Sequence, residues 1–225
     1  MFFDSTIILI IPVLILAFWA QNKVQGNYKK YDKIGNMAGI SGAEAARAIL
    51  ERNGIFDVEV REVNGVLTDH YHPTKKVVNL SSNVYHNRSI SAVSIAAHEV
   101  GHAMQHANNY LPLTLRASLV PIANLGSQGA FPLFFIGFLF RIPMFMDLGI
   151  WFFAGALLFH LITLPVEFNA SARAFKQLNN GILVGTNEMK GAKAVLNAAA
   201  LTYVASTLMA LMQLIRMLIL RGGRD

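Results

Sequence analysis

The sequence predicts a mainly α-helical membrane protein with about four transmembrane helices and a smaller α+β part. Of its 225 residues, 54% are hydrophobic and only 14% are charged, a composition too apolar for an ordinary soluble domain. Four apolar stretches are long enough to cross a bilayer. Capping, strand and turn signals concentrate between the first and second of these stretches, so a folded polar part is expected there.

We therefore divide the chain into five regions. These are an N-terminal membrane anchor, a polar section, two transmembrane helices, a second polar segment, and a last transmembrane helix with its tail: residues 1–20, 21–116, 117–164, 165–193 and 194–225. The anchor is expected to stay uncleaved. Asp4 precedes its apolar run, and bulky Phe18 and Trp19 close it where a signal peptide has small residues.

The two central apolar stretches contain prolines and glycines, residues that disfavour a regular helix. Those at 117–140 predict kinks or a broken helix, which is tolerated only where neighbours cover the backbone. Residues 141–147 are expected to form a short connection. Pro165 follows the next span and is expected to start a new, Ala-rich helix.

The polar section combines helix and strand signals. Ser41 and Glu44 form a capping-box pattern for a helix that stops at Asn53 and Gly54. Strand-like stretches at 58–63, 66–68 and 76–80, separated by turn residues, predict a small sheet built as a hairpin or meander. The edge of such a sheet could bind an extended peptide by strand addition. The alternative is an edge that is simply solvated.

The residues most specific for chemistry are His98-Glu99-Val100-Gly101-His102, on a helix expected from Ser89 or Ser91 to about Asn108. His98 and His102 lie one turn apart on one face, so both imidazoles can bind one metal ion. Glu99 is displaced from that face, which suits a base acting on metal-bound water. If the pattern arose by chance, Glu99 would be a costly unpartnered carboxylate among apolar residues. The sequence therefore predicts a zinc site, and the absence of cysteine limits its ligands to His, Asp and Glu.

A catalytic zinc needs a third protein ligand, and Glu167 is the best candidate because it follows a membrane segment at the start of a helical stretch. His106 is evenly spaced with the two histidines. However, eight residues of helix rise about 12 Å, too far for one ion. Glu188 is a more distant alternative, and His160 could equally form a hydrogen bond between membrane helices.

Together these residues resemble the YugP-type neutral zinc metallopeptidases of bacterial membranes and, more distantly, the HtpX-type membrane peptidases of the gluzincin group. The resemblance covers nearly the whole chain, including Thr68 to Tyr71 before the strand at 75–78 and Glu167 to Ser171. It implies a zincin-like metallopeptidase domain with one Zn²⁺ per chain, which the distribution of Lys and Arg residues, described below, places in the cytoplasm. In that domain His98, His102 and Glu167 would bind zinc, and Glu99 would be the catalytic base.

The chain departs from the distant relatives at one position. They carry Glu-x-x-x-Asp at the third-ligand motif, where the Asp orients a histidine ligand, and Ser171 stands here instead. Ser171 or Asn169 could supply that hydrogen bond. Four residues are candidates for stabilising a reaction oxyanion, although exposed polar residues are the ordinary expectation beside the turn at Pro73: His70, Tyr71, His72 and Tyr85.

The predicted function is that of a membrane-embedded, zinc-dependent metalloendopeptidase, which hydrolyses peptide bonds with a zinc-activated water and Glu99 as general base. The substrate would be a peptide or a membrane protein. The alternative is a non-hydrolytic membrane zinc-binding or transport protein, although transport sites usually lie at the bilayer midplane, where only His160 suits. A scaffold that keeps a purely structural zinc would not need Glu99.

Charge distribution predicts the topology. With the N-terminus outside, residues 21–116 and 165–193 are cytoplasmic and hold eleven and four of the 19 Lys and Arg residues. The net charge of +6 does not indicate nucleic-acid binding, because no basic cluster is interleaved with aromatics. The predicted location is a bacterial inner or plasma membrane, crossed several times, with the lipid bilayer as partner and the active site in the cytoplasm. The sequence carries no signal for an oligomeric state.

Overall fold

The structure is a computed structural model that describes residues 5–223. The first four residues of the predicted anchor, including Asp4, and the last two of the tail lie outside this range. The elements, in chain order, are a short 3₁₀ helix at Ser5–Leu9, α1 Ile11–Asp32, α2 Gly42–Arg52, β1 Glu59–Val63, β2 His70–His72, β3 Val77–Ser81, α3 Ser82–His86, α4 Ile90–Ala107, α5 Leu111–Phe140, α6 Pro143–Asn179 and α7 Thr186–Gly222.

Four helical segments are long and apolar enough to cross a membrane: Thr6–Asp32, Leu111–Phe140, Pro143–Asn179 and Thr186–Gly222. Together with the small sheet, they confirm the prediction of a mainly α-helical chain with four candidate membrane helices.

The central helices are longer and less interrupted than the sequence suggests. Helix α5 continues through Pro121 and Pro132, so of the two predicted alternatives, kinks or a broken helix, the break is wrong. Helix α6 continues through Pro165, so the predicted helix start there is also wrong. Proline removes one backbone hydrogen bond and bends a helix, but the bonds on either side can hold the helix together. The connection predicted at 141–147 is also shorter, because α6 already begins at Pro143.

The sheet has the strand order β1-β3-β2. Strands β2 and β3 pair antiparallel, as in the predicted hairpin, but β1 pairs parallel to β3, which rules out a meander. The predicted extended segment at 66–68 is wrong. Gly65 and Leu67 have positive φ angles of 116° and 56°, so the chain turns there, and β2 begins only at His70.

The helix-capping signals of the polar section are confirmed. The Ser41 hydroxyl accepts the Glu44 N–H at 3.2 Å, and the Glu44 carboxylate accepts the Ser41 N–H at 2.6 Å, which completes the capping box of α2. Ser89 caps α4 by accepting the N–H of Ala92 at 3.0 Å. These caps satisfy backbone donors that the helices themselves leave free.

The chain forms two compact units. Of the described residues, one unit contains 5–20, 114–165 and 202–223, and its buried apolar side chains include Phe134, Met146 and Met217. The other contains residues 21–113 and 166–201. In this second unit α2, the sheet, α4 and the C-terminal part of α6 enclose a core of buried aliphatic residues, among them Ile49, Leu80 and Val100.

Candidate metal centre

Three side chains meet between α4 and α6 in the second unit. One ligand atom from each of His98, His102 and Glu167 can be chosen so that all lie within 4.8 Å of one another. The Glu167 Oε2 atom lies 3.2 Å from His98 Nε2 and 3.6 Å from His102 Nε2. The structure thus brings together the three residues that the sequence proposes as ligands.

Helix α4 can approach α6 this closely because it carries Gly101. A Cβ atom at that position would lie 2.5 Å from the carbonyl oxygen of Ala170, a separation that real Cβ atoms do not show. The two helices therefore pack backbone against backbone at this level. Glu167 precedes Ala170 by one turn of α6 and so faces the turn of α4 that carries the histidines.

Both histidines have a hydrogen-bond partner on the ring nitrogen that faces away from Glu167. His98 Nδ1 lies 3.1 Å from Ser171 Oγ, and His102 Nδ1 lies 3.0 Å from Gln105 Oε1. A ligand histidine usually uses its second nitrogen in this way. Two imidazole nitrogens and one carboxylate oxygen are also the donor types that zinc takes in catalytic sites, so these residues fit a zinc ion.

Glu99 is buried beside the ligand cluster. Its Oε2 atom accepts the backbone N–H of Tyr71 from β2 at 3.0 Å. Burial raises the pKa of Glu99 to about 7, and the nearby Glu167 carboxylate acts in the same direction, whereas the charge of His98 opposes it. A carboxyl group in this range can exchange protons near neutral pH.

The side chains predicted to stabilise an oxyanion have hydrogen-bond partners other than the three ligands. The Tyr71 hydroxyl is 2.8 Å from His106 Nδ1, and burial raises the pKa of Tyr71 to about 12. His70 is exposed and contacts the Thr68 carbonyl, and His72 accepts the N–H of Lys75. Tyr85 accepts a hydrogen bond from Arg47. Among these four residues, Tyr71 also contacts the centre through its backbone, because its N–H donates to Glu99.

The alternative third ligands have other surroundings. His106 pairs with Tyr71, as above. Glu188 is buried but accepts three backbone N–H groups, those of Met37, Val184 and Gly185, at 2.7 to 3.1 Å. These contacts make Glu188 a capping residue at the start of α7. His160 belongs to the first unit and is not a member of the cluster.

Sequence reasoning missed Gln105. This side chain is fully buried, and its amide lies between His102 and two groups on α6, the carbonyl of Val166 and the side chain of Asn169. Its signal was a polar residue about one turn beyond His102, on the buried side of the helix that also carries Glu99 and His102. Asn169 contacts Gln105 and Arg173, so Ser171 is the partner of His98.

Comparison with known proteins gives a family and a relative. Residues 6–222 match the family model described as "Putative neutral zinc metallopeptidase". The chain is 50% identical over 221 residues to a Bacillus subtilis (strain 168) protein named "Putative membrane protease YugP". The aligned region covers 97% of this chain and 98% of that protein. No solved structure matches the chain.

Proposed function

This chain belongs to that neutral zinc metallopeptidase family, and from this premise we propose that it is a membrane-embedded zinc endopeptidase whose active site is the His98, His102 and Glu167 centre. One observation carries the proposal. The three ligand atoms converge beside Glu99, a buried carboxylate that is not a member of the cluster and that a site for metal storage alone would not need.

His98, His102 and Glu167 would hold the zinc ion, one per chain. When bound, zinc supplies Lewis-acid activation of water and of the scissile carbonyl. Ser171 and Gln105 hold the two ligand imidazoles in position, because each contacts the ring nitrogen that does not face Glu167. The close packing of Gly101 on Ala170 sets the separation of the two helices.

We assign the proton transfers to Glu99. The Tyr71 N–H holds its Oε2 atom, so Oε1 is the atom that would accept a proton from the attacking water as the new C–O bond forms. Glu99 would then pass this proton to the amide nitrogen as the C–N bond breaks, leaving a carboxylate and an amine.

Strand β2 is suited to hold the substrate. It is an edge strand, and the N–H of Tyr71 points away from β3 towards Glu99. An extended peptide that pairs with this edge would pass beside Glu99, as in other cases of strand addition. We propose a peptide or a membrane protein as substrate, and a cytoplasmic site in a multi-pass protein of the bacterial inner or plasma membrane.

The test combines zinc content with hydrolysis. Detergent-purified wild type, Glu167→Ala and Glu99→Gln would be analysed for zinc and incubated with an unfolded protein, with new N-termini detected by mass spectrometry. We expect one zinc in the wild type, none in Glu167→Ala, and one in Glu99→Gln. Hydrolysis by Glu99→Gln should fall by about 10²- to 10⁴-fold. Glu51→Gln, an exposed carboxylate on α2, is the control and should match the wild type.

The other outcomes separate the alternatives. Full zinc in Glu167→Ala would show that the third ligand is wrong. Zinc in the wild type without any cleavage would favour the non-hydrolytic zinc-binding or transport function. No zinc in the wild type, even after reconstitution, would overturn the peptidase proposal.

A further inference from the structure

Gln105 is a buried amide with partners on both helices of the centre. Its Oε1 atom lies 3.0 Å from His102 Nδ1. Its Nε2 atom donates to the Val166 carbonyl at 2.7 Å and to Asn169 Oδ1 at 3.0 Å. The side chain of Gln105 therefore makes three hydrogen bonds, and all three partners belong to the protein.

The orientation of this amide follows from its partners. A backbone carbonyl can only accept, so the NH₂ group of Gln105 must face Val166, and its oxygen must face His102. Arg173 constrains the orientation of the neighbouring Asn169 amide, because its Nε donates to Asn169 Oδ1 at 2.8 Å. An arginine can only donate, so the Asn169 oxygen is directed towards both Arg173 and Gln105. The two constraints are independent and require the same orientation.

The orientation of Gln105 determines which nitrogen of His102 carries the proton. Because Gln105 Oε1 is an acceptor, His102 Nδ1 must be the donor. The neutral imidazole then has its lone pair on Nε2, the atom that faces Glu167 Oε2 at 3.6 Å.

We propose that Gln105, held by Asn169 and Arg173, is the positioning residue that keeps His102 in its metal-binding tautomer. This inference rests on the proposed zinc function. In this network His102 Nδ1 donates to Gln105 Oε1, and the Gln105 amide and Arg173 both donate to Asn169 Oδ1, so the lone pair of His102 is left on Nε2.

The second histidine is held differently. His98 Nδ1 contacts the hydroxyl of Ser171, and a hydroxyl can rotate to donate or to accept. Ser171 therefore supports the position of His98 without selecting its tautomer. For this reason loss of Gln105 should weaken zinc binding more than loss of the Ser171 hydroxyl.

The experiment measures zinc affinity by competition with a chelator, together with the visible spectrum of the Co²⁺-substituted protein. The variants are Gln105→Leu, Asn169→Leu, Asn169→Asp and Ser171→Ala. Loss of such an outer hydrogen bond typically weakens metal binding by about 10- to 100-fold, and we expect this for Gln105→Leu and Asn169→Leu. In Asn169→Asp the oxygen can still accept from Arg173 and Gln105, so affinity and spectrum should stay close to those of the wild type.

Gln177→Leu is the matched control. Like Gln105 on α4, Gln177 on α6 is a buried amide. It donates to Asn53 Oδ1 at 3.1 Å, away from the centre. Its loss should leave zinc affinity and the Co²⁺ spectrum unchanged, whatever its effect on the melting temperature. The comparison separates a general loss of packing from a loss of ligand orientation.

Three results would overturn the inference. Gln105→Leu could bind zinc as tightly as Gln177→Leu, Asn169→Asp could be as weak as Asn169→Leu, or Ser171→Ala could weaken binding as much as Gln105→Leu. If these occur in a protein that binds zinc and cleaves substrate, only the positioning role fails. If the wild type binds no zinc, the proposed function itself fails, and this inference fails with it.

Discussion

Gly101 of α4 packs directly against the backbone of Ala170 of α6, with space for a hydrogen but not for a methyl group. A Cβ atom on Gly101 would lie 2.5 Å from the Ala170 carbonyl oxygen and 3.2 Å from its Cα. Because both positions are backbone atoms, no side-chain rotation can relieve the overlap. The distance from Glu167 to the histidines therefore depends on this glycine.

Gly101→Ala should push α4 and α6 apart and disrupt the ligand cluster. Overpacking of this kind costs about 1–3 kcal/mol, so the melting temperature should fall. Zinc content should fall as well, because Glu167 moves away from His98 and His102. Both quantities can be measured on the same detergent-purified sample.

Gly26→Ala is the matched control for this substitution. Gly26 is an exposed helical residue of α1, and a Cβ there would meet nothing within 4 Å. Alanine is favoured over glycine in helices by about 1 kcal/mol, so stability should be kept or raised and zinc content kept. Unchanged zinc in Gly101→Ala would show that this contact does not control the centre.

Glu188→Ala should destabilise the protein without affecting zinc. The substitution leaves the N–H groups of Met37, Val184 and Gly185 without their carboxylate acceptor. A hydrogen bond to a charged group contributes about 1.5–3 kcal/mol, and water can replace part of this where the donor is exposed. Thermal unfolding should show this loss, whereas elemental analysis should still find the wild-type amount of zinc. Loss of zinc at unchanged stability would instead identify Glu188 as a ligand.

The parts of the site that depend on local spacing were predictable. The positions of His98, His102 and Glu99 on α4 follow from helical periodicity. The capping box of α2 is equally local. Each of these requires only neighbours in sequence, so the pattern alone determines the geometry.

The parts that depend on distant partners were not predictable. The parallel pairing of β1 with β3 skips the intervening strand, and no turn signal encodes it. Pro165 was expected to start a helix, but α6 continues through it. Gln105 looked unremarkable because its role depends on Val166 and Asn169, which lie more than 60 positions away.

Tyr71→Phe should change the alkaline stability of the protein. The pKa of Tyr71 is raised by burial to about 12, against about 10 in an unfolded chain. Between these values the unfolded state loses a proton that the folded state keeps. The wild type should therefore lose stability as the pH rises from about 10 to 12.

Phenylalanine cannot ionise, so the Tyr71→Phe variant should not show this loss of stability above pH 10. At neutral pH the variant should be less stable by about 1 kcal/mol, because the hydrogen bond between the Tyr71 hydroxyl and His106 is gone. The difference in melting temperature should thus be largest near pH 8 and should narrow above pH 10. A constant difference across this range would mean that Tyr71 titrates normally in the folded protein.

The proposed topology can be tested with single cysteines, because the natural chain contains none. Phe56 lies in the polar section and is 80% exposed, and Gly223 is an exposed residue after the end of α7. With the N-terminus outside and four spans, position 56 is cytoplasmic and position 223 is outside. A membrane-impermeant maleimide should label Gly223→Cys in intact bacterial cells and Phe56→Cys only after permeabilisation.

The Lys and Arg distribution gives this test its physical basis, since loops rich in these residues are retained in the cytoplasm. The wild type is the control for background labelling, and each variant must be labelled fully after detergent is added. Labelling of Phe56→Cys, but not of Gly223→Cys, in intact cells would invert the topology. The centre would then face outwards, because Glu99 belongs to the same compact unit as Phe56.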